Sequence, residues 1–275
     1  MRVGITGVNG FLGGEVSKIL NSLGYLVVPL DSITRKEFLA LKIQESNLTD
    51  LDWVLHFGSK TSIPDSQNDP FSTYASNISS TLSALKIAEK TKSCFLFMSS
   101  FVYGSHHYVP IDEKHPVSAS NPYMSSKIVS EEICTQITKS NNIPLIILRG
   151  FNIYGSKLIP GRLISDLIIA KNNNELLTIN DSNPKRDYLY IKDFVGLIEK
   201  IINSFPIKSG IYNVGYGQAY TNLEVANIFR ELIGESRMVR INSKKRVNDI
   251  LDCSVDARFI KEAFSWSPKF SLKQG

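Results

Sequence analysis

The amino-acid sequence predicts an α/β fold, a doubly wound parallel sheet followed by a smaller α/β cap. Three observations carry this expectation. Apolar, strand-like runs alternate with segments of helical periodicity as far as Leu148, the pattern of parallel strands joined by crossover helices. The first run passes through closely spaced glycines directly into a helical pattern. After residue 155 the alternation loosens with no Pro- or Gly-rich linker, so the remainder is expected to pack onto the first part. Residues 1–155 thus form one predicted domain, to which part of 188–215 returns, and residues 156–275 are mainly the cap.

Residues 2–6 form the first strand and run into Gly7-Val-Asn-Gly10-Phe-Leu-Gly13, after which Val16, Ile19, Leu20 and Leu23 recur at helical spacing. Glycines in such a turn need no room for Cβ and adopt positive φ, so the backbone can come close to a pyrophosphate. The free N–H groups and partial positive charge of the helix start then face the anion. Gly7, Asn9, Gly10, Phe11, Leu12 and Gly13 are therefore candidate dinucleotide contacts, although Gly-x-x-Gly-x-x-Gly differs from the general Gly-x-Gly-x-x-Gly fingerprint. The second strand, 25–30, ends at Asp31, eighteen residues beyond Gly13. A carboxylate there would accept hydrogen bonds from a ribose 2′-OH and repel a 2′-phosphate. That favours NAD, while Arg35 and Lys36 close by keep NADP open.

Between Asp31 and Asp52 the chain is short for a full helix, strand and loop; residues 32–42 fit one helix, or a helix with a stub strand, and the third strand is left unassigned. Residues 53–57 read as the fourth strand, and the small-residue loop after it brings Phe57, Gly58 and Ser59 to a strand's carboxyl end, where ligands of doubly wound sheets sit. Residues 66–70 read as a turn, 71–90 as a long helix, and 94–98 as a fully apolar fifth strand running into Ser99-Ser100. A helix at 122–137 and a sixth strand at 143–148 follow. Beyond them the pattern gives a helix at 163–170, a short strand at 176–179, a polar loop at 180–187, a helix at 192–203, a strand at 211–214 and a helix at 223–233.

At 275 residues the chain can bury a substantial core, and a net charge of +5 with scattered cations, densest at Lys244-Lys245-Arg246, does not make a nucleic-acid stripe. A nucleoside diphosphate would be attracted equally well. Cys94, Cys134 and Cys253 are odd in number and lie in no metal-type pair, which fits buried apolar cysteines in a reducing cytosol; no metal site is expected. The first strand starts at the second residue with no signal peptide before it, and no apolar run approaches the roughly 20 residues that span a membrane. A cytoplasmic protein is expected.

Asn121-Pro-Tyr123-Met-Ser-Ser-Lys127 puts a Tyr and a Lys on one helix face. A phenol of ordinary pKa about 10 is a poor base at neutral pH, but a neighbouring ammonium and a cationic nicotinamide both favour phenolate. Lowering it by about three pH units needs roughly 4 kcal/mol, within reach of two positive charges in a water-poor cleft. Tyr123 could then take or give a hydroxyl proton while hydride moves. Ser99, at the end of a buried strand, can hydrogen-bond the reacting oxygen and help polarise a ketone. The combination of glycine turn, strand-end serine and Tyr-x-x-x-Lys, in this order, makes a signal that none of the three makes alone.

With these residues in place, the sequence resembles the extended short-chain dehydrogenase/reductase superfamily, in its nucleotide-sugar epimerase/dehydratase branch. The resemblance extends over nearly the whole chain, through Thr6-Gly-Val-Asn-Gly-Phe-Leu-Gly13, His56-Phe-Gly-Ser, Asn77, Ser99-Ser-Phe-Val-Tyr-Gly104, Pro122-Tyr-Met-Ser-Ser-Lys127, Arg149-Gly-Phe-Asn-Ile-Tyr-Gly155, Arg186-Asp-Tyr188 and Tyr212-Asn-Val-Gly215. It implies a Rossmann-type NAD(P) domain with a substrate-binding cap, in which Tyr123 is the acid/base, Lys127 holds the nicotinamide ribose and Ser99 binds the substrate hydroxyl or keto oxygen. It also implies cofactor contact at Asn77, substrate contact at Ser100 and Phe101, and phosphate contacts from Asn152, Arg186 and Arg246, with a homodimer formed through the helices 71–90 and 122–137. Ser100 and Phe101 stand where sugar 4,6-dehydratases of this branch carry an Asp-Glu pair, so 4,6-dehydration is not expected. Lys60 and Gly150 also depart from the common pattern and point to an atypical sugar pocket.

Three functions follow as expectations. The first is a 4-epimerase, in which tightly held NAD takes hydride from C4 of a nucleoside-diphosphate hexose and returns it to the other face. The second is a 4-keto-6-deoxy nucleotide-sugar reductase using the same residues and consuming NAD(P)H. The third, a non-catalytic dinucleotide-binding sensor, would predict erosion of the Ser, Tyr and Lys set, all of which are present.

Overall fold

The computed structural model describes residues 1–31, 50–105, 107–157, 159–236, 238–242 and 250–275. They form two compact units: Met1–Gly104 with Pro116–Gly150 and Val195–Tyr212, and Ser105–His115 with Phe151–Phe194 and Asn213–Gly275. Residues 105–115, inside the expected first domain, pack in the second unit. The unassigned third strand, with Arg35 and Lys36, falls outside the described residues.

In the first unit, β1 (Arg2–Thr6), β2 (Leu26–Pro29), β3 (Trp53–His56), β4 (Cys94–Met98) and β5 (Leu145–Gly150) pair in parallel, in the order β2-β1-β3-β4-β5. The strand Gly210–Val214, β9 in chain order, continues the sheet beside β5. Both faces of such a sheet are covered by crossovers, which is why its strands read as nearly unbroken apolar runs. Val3, Ile5, Val54, Leu55, Phe95, Phe97, Ile146 and Ile147 are all fully buried. The chain leaves β1 for β2 on one side and later places β3 on the other, so the carboxyl ends of β1 and β3 flank the switch point at which open α/β sheets bind ligands.

Helix α1 (Phe11–Ser22) follows the glycine turn. The expected turn at 66–70 is instead two helices in tandem, α2 (Ile63–Asn68) and α3 (Pro70–Thr91). Two N-caps make both possible: Ser62 Oγ accepts the Asp65 N–H at 3.2 Å and Asp69 Oδ1 accepts the Ser72 N–H at 3.0 Å, with Pro64 and Pro70 in the opening turns. Helix α4 (Pro122–Ser140) is capped by Asn121, whose Oδ1 accepts the Met124 N–H at 2.9 Å. Ala84, Leu85 and Ile87 of α3 and Cys134 of α4 share one core with Phe95, Phe97 and Ile147 of the sheet.

The second unit contains β6 (Asn152–Tyr154), α5 (Leu163–Asn172), β7 (Thr178–Ile179) and β8 (Lys185–Tyr190). Helix α6 (Ile191–Ile202) gives its residues from Val195 onward to the first unit, and β10 (Ala219–Thr221), α7 (Asn222–Leu232), β11 (Arg240–Ile241), β12 (Asp252–Cys253) and α8 (Arg258–Phe264) complete the second. Strand β8 is its centre, antiparallel to β10 and parallel to β6 and β12. This corrects the end of the polar loop expected at 180–187: residues 180–184 are loop, and the strand begins at Lys185. Three charged residues, Lys185, Arg186 and Asp187, read as solvated chain, yet Asp187 is fully buried, its carboxylate accepting the N–H groups of Tyr216 at 2.6 Å and Gly217 at 2.7 Å. Burial still pushes its pKa up to about 6. Among the described residues no helix is long and apolar enough to cross a membrane.

Candidate functional site

The glycine turn sits at the carboxyl end of β1 and is packed too tightly for side chains. Gly7 has φ +77°, and a Cβ on it would lie 2.8 Å from the Gly58 nitrogen; one on Gly13 would lie 2.3 Å from the Gly7 oxygen. The loop after β3 thus presses on the turn, and α1 presses on it from the other side. Gly10 caps α1 with no side-chain hydrogen bond. The opening N–H groups of that helix therefore suit an anion. Asp31 closes over the turn, accepting the N–H groups of Gly7 at 2.5 Å and Val8 at 3.0 Å. A carboxylate has about four acceptor positions, so Asp31 can bind the turn and still receive ribose hydroxyls.

A buried polar chain fixes the neighbouring loop. Thr6 Oγ1 accepts the Gly58 N–H at 3.0 Å and lies 2.7 Å from His56 Nδ1, to which it donates because the neutral ring's proton is on Nε2. His56 Nε2–H then faces Thr81 Oγ1 at 3.2 Å, and Thr81 donates to the Asn77 carbonyl at 2.8 Å. Burial first, and the Lys127 charge second, hold the His56 pKa down to about 3, so the ring is neutral. This arrangement secures the loop through Phe57, Gly58 and Ser59. Asn77, expected to touch the cofactor, spends both amide N–H groups inside the protein, on the Lys60 carbonyl at 3.1 Å and Ser126 Oγ at 2.9 Å, while its oxygen accepts the Lys60 N–H at 2.8 Å. Ser126 in turn donates to the Tyr123 carbonyl at 2.7 Å. Asn77 is thus a tie between the loop after β3 and the first turn of α4.

Tyr123, Lys127 and Ser99 are 8%, 3% and 3% exposed, which removes water from most of each side chain. Lys127 Nζ donates to the Met98 carbonyl at 2.9 Å and sits 4.8 Å from the Phe97 ring centroid. Burial lowers its pKa to about 8, so the ammonium survives at neutral pH as a poorly solvated charge beside the β4 terminus. The Ser99 hydroxyl donates to Glu131 Oε1 at 2.5 Å. Glu131 is clamped by Arg149, whose Nε lies 3.1 and 3.2 Å from the two carboxylate oxygens and whose Nη2 reaches Oε2 at 2.6 Å. Arg149 Nη1 also donates to Tyr103 Oη at 3.2 Å. Although burial opposes the guanidinium charge, the hydrogen bonds and charge of Glu131 outweigh it and raise the Arg149 pKa. Glu131 and Arg149 are the residues that sequence reasoning passed over. The available signal was that Glu131 stands four residues after Lys127, on the same face of α4.

Ser100 and Phe101 are half-buried, and the Phe101 ring stands edge-on to Tyr103 at 5.7 Å, an apolar body where an acid pair would be needed for dehydration. In the second unit, Asn152 Nδ2 donates to the Asp187 carbonyl at 3.1 Å, and Arg186 Nη1 donates to the carbonyls of Lys185 at 2.8 Å and Ile250 at 2.6 Å. Arg246 lies outside the described residues. Among the described residues no group of three or more His, Cys, Asp or Glu side chains is arranged to hold a metal ion.

A family model described as NAD dependent epimerase/dehydratase matches residues 3–215. The chain is 28% identical to a putative UDP-glucose 4-epimerase of Methanocaldococcus jannaschii, over 98% of this chain and 94% of the relative. It is 26% identical to the UDP-glucose 4-epimerase of Bacillus subtilis, over 100% of this chain and 94% of the relative. The crystal structure of UDP-glucose 4-epimerase from Bifidobacterium longum, in complex with NAD+ and UDP, superposes with a TM-score of 0.85 at 25% identity, covering 100% of this chain and 95% of that one.

Proposed function

Because the chain belongs to the NAD dependent epimerase/dehydratase family, we propose that it is an NAD-dependent 4-epimerase of a nucleoside-diphosphate hexose. The observation that carries the reading is the buried Tyr123 and Lys127 pair beside the β4 terminus, in the same unit as a glycine turn already engaged by Asp31. The turn suits a dinucleotide, since it leaves no room for a Cβ at Gly7 or Gly13 and opens a helix whose cap is a glycine. Asp31 disfavours a 2′-phosphate, which supports NAD over NADP. Gly7, Gly10, Phe11, Leu12, Gly13 and Asp31 would hold it. When bound, NAD supplies a hydride acceptor and donor at the sugar carbon.

Tyr123 takes the proton of the sugar hydroxyl as the carbonyl forms and returns it as the alcohol is restored. Lys127 favours the phenolate by its charge, which a water-poor site leaves unscreened. Phe101 offers no acid or base for loss of water, so the 4-keto sugar is retained until hydride comes back. Asn152, Arg186 and Arg246 are assigned to the nucleotide diphosphate, for which an Arg fork is suited. We also assign a homodimer formed through α3 and α4. Phe71 of α3 is 86% exposed, with Tyr74, Ala75 and Ile78 at helical spacing behind it. Three free cysteines fit a reducing cytoplasm.

The test is to denature freshly purified protein and analyse the supernatant for bound dinucleotide, then to offer UDP-hexoses. Stoichiometric NAD with epimerised product and no net cofactor consumption is expected. A cofactor-free protein that oxidises NADPH or NADH only with a 4-keto-6-deoxy nucleotide sugar would make it a reductase instead. Sedimentation of the same sample checks the dimer.

A further inference from the structure

Hydrogen bonds run without a gap from the loop beside the glycine turn to the backbone of Tyr123. The Gly58 N–H is held by Thr6, Thr6 by His56 Nδ1, His56 Nε2 by Thr81, Thr81 by the Asn77 carbonyl, the Asn77 amide by Ser126, and Ser126 by the Tyr123 carbonyl. Thr6, His56, Asn77, Thr81 and Ser126 are all buried. Thr81 gives its proton to the Asn77 carbonyl at 2.8 Å in preference to Ser130 Oγ at 3.4 Å, so it accepts from His56 and the chain has a single direction. His56 is its costly member. It closes β3 after the buried apolar Trp53, Val54 and Leu55, and its ring centre lies 6.3 Å from that of Phe95 and 5.8 Å from that of Phe97, within 27° of parallel to each. An apolar side chain would fill that place without burying ring nitrogens. What it would lack is the pair of bonds by which His56 of β3 joins Thr6 of β1 to Thr81 of α3.

The two ends of the chain are the two halves of the chemistry. At one end Thr6 leads into Gly7 and holds Gly58, whose nitrogen would lie 2.8 Å from a Cβ on Gly7. At the other, Ser126 binds the carbonyl of Tyr123 in the first turn of α4. A buried polar chain with every member satisfied keeps one arrangement, because a shift leaves a donor or an acceptor unpaired. Hydride and proton transfer at one sugar carbon need such constancy, since a displacement of about 1 Å can cost on the order of 10²-fold in rate. We propose that His56 is a positioning residue for the hydride-transfer reaction, fixing the dinucleotide turn through Thr6 and Gly58 and the Tyr123 backbone through Thr81, Asn77 and Ser126. This rests on the epimerase reading above. His56 acts on the reaction through Tyr123.

The experiment measures kcat and KM for UDP-glucose, per NAD-loaded protein, in a cycle of His56→Leu and Tyr123→Phe. His56→Leu is expected to lower kcat about tenfold with KM within about twofold of wild type. In the Tyr123→Phe background the same change should cost less than about twofold, because the group it positions is already gone. A merely structural histidine would lower both backgrounds by the same factor. His56→Gln keeps one acceptor and one donor and should return kcat to within about threefold of wild type. Thr81→Val breaks the chain one step further on without touching the ring; it should repeat the kcat loss and its disappearance in Tyr123→Phe, and it decides if His56→Leu does not fold. Unchanged kcat in the variant, or equal losses in the two backgrounds, overturns the inference while wild-type turnover leaves the epimerase reading standing. A wild-type protein that epimerises no UDP-hexose overturns the two together.

Discussion

Replacing Lys127 by Met should make the cofactor-free protein more stable at neutral pH while destroying its activity. The ammonium is 3% exposed, and burial lowers its pKa from 10.5 to about 8. Keeping it charged at pH 7 against that difference costs about 3 kcal/mol. Met removes the charge and fills similar volume but gives up the bond to the Met98 carbonyl, worth about 1 kcal/mol, so the net gain is about 2 kcal/mol. The sign follows from proton counting. A base whose folded pKa lies below its unfolded value binds fewer protons when folded, so wild type gains stability as pH rises from about 8 towards 10.5, and the Met variant does not. At pH 9.5 the advantage of Met should have shrunk by about 2 kcal/mol, to nearly nothing. Urea unfolding of both proteins at the two pH values, with NAD stripped because it stabilises by mass action, measures this directly. Parallel stabilities at both pH values would refute the claim that Lys127 is held as a strained, desolvated charge. A measured gap that widens with pH would reverse its sign.

Tyr123→Phe keeps the ring, which is 8% exposed, and should leave NAD bound while lowering turnover by about 10² to 10⁴; undiminished epimerisation would remove Tyr123 from the chemistry. Asp31→Asn weakens the acceptor for the Gly7 and Val8 N–H groups and should release NAD on gel filtration, with affinity reduced about tenfold or more. Gly7→Ala forces a Cβ to 2.8 Å from the Gly58 nitrogen at a φ of +77°, so a loss of about 2 kcal/mol or more is expected in thermal unfolding, together with loss of the dinucleotide. His56 is held near a pKa of about 3, below its ordinary value, so its contribution is present above pH 6.5 and lost as pH falls. It should account for about 2 kcal/mol of destabilisation between pH 7 and 5, and His56→Gln should flatten that slope.

The glycine turn, Asp31, and the Tyr123 and Lys127 pair were legible because each is a local device. Backbone curvature, helix spacing and the residue after a strand depend on neighbours within about a turn or a single crossover, and their side-chain types announce the chemistry. The parallel sheet was legible for the same reason, since strands covered on both faces must be apolar throughout. Only the tertiary structure decided where the polar groups in the interior find their partners. Asn77 meets Ser126 across 49 residues, Ser99 meets Glu131 across 32, and Asp187 meets Tyr216 across 29. Those pairings tie Asn77 to the first turn of α4, give the Ser99 hydroxyl a partner in Glu131, and make the end of an expected loop part of the central strand of the second unit. A buried polar group takes whichever partner the fold brings within about 3 Å, and sequence separation carries no information about that choice.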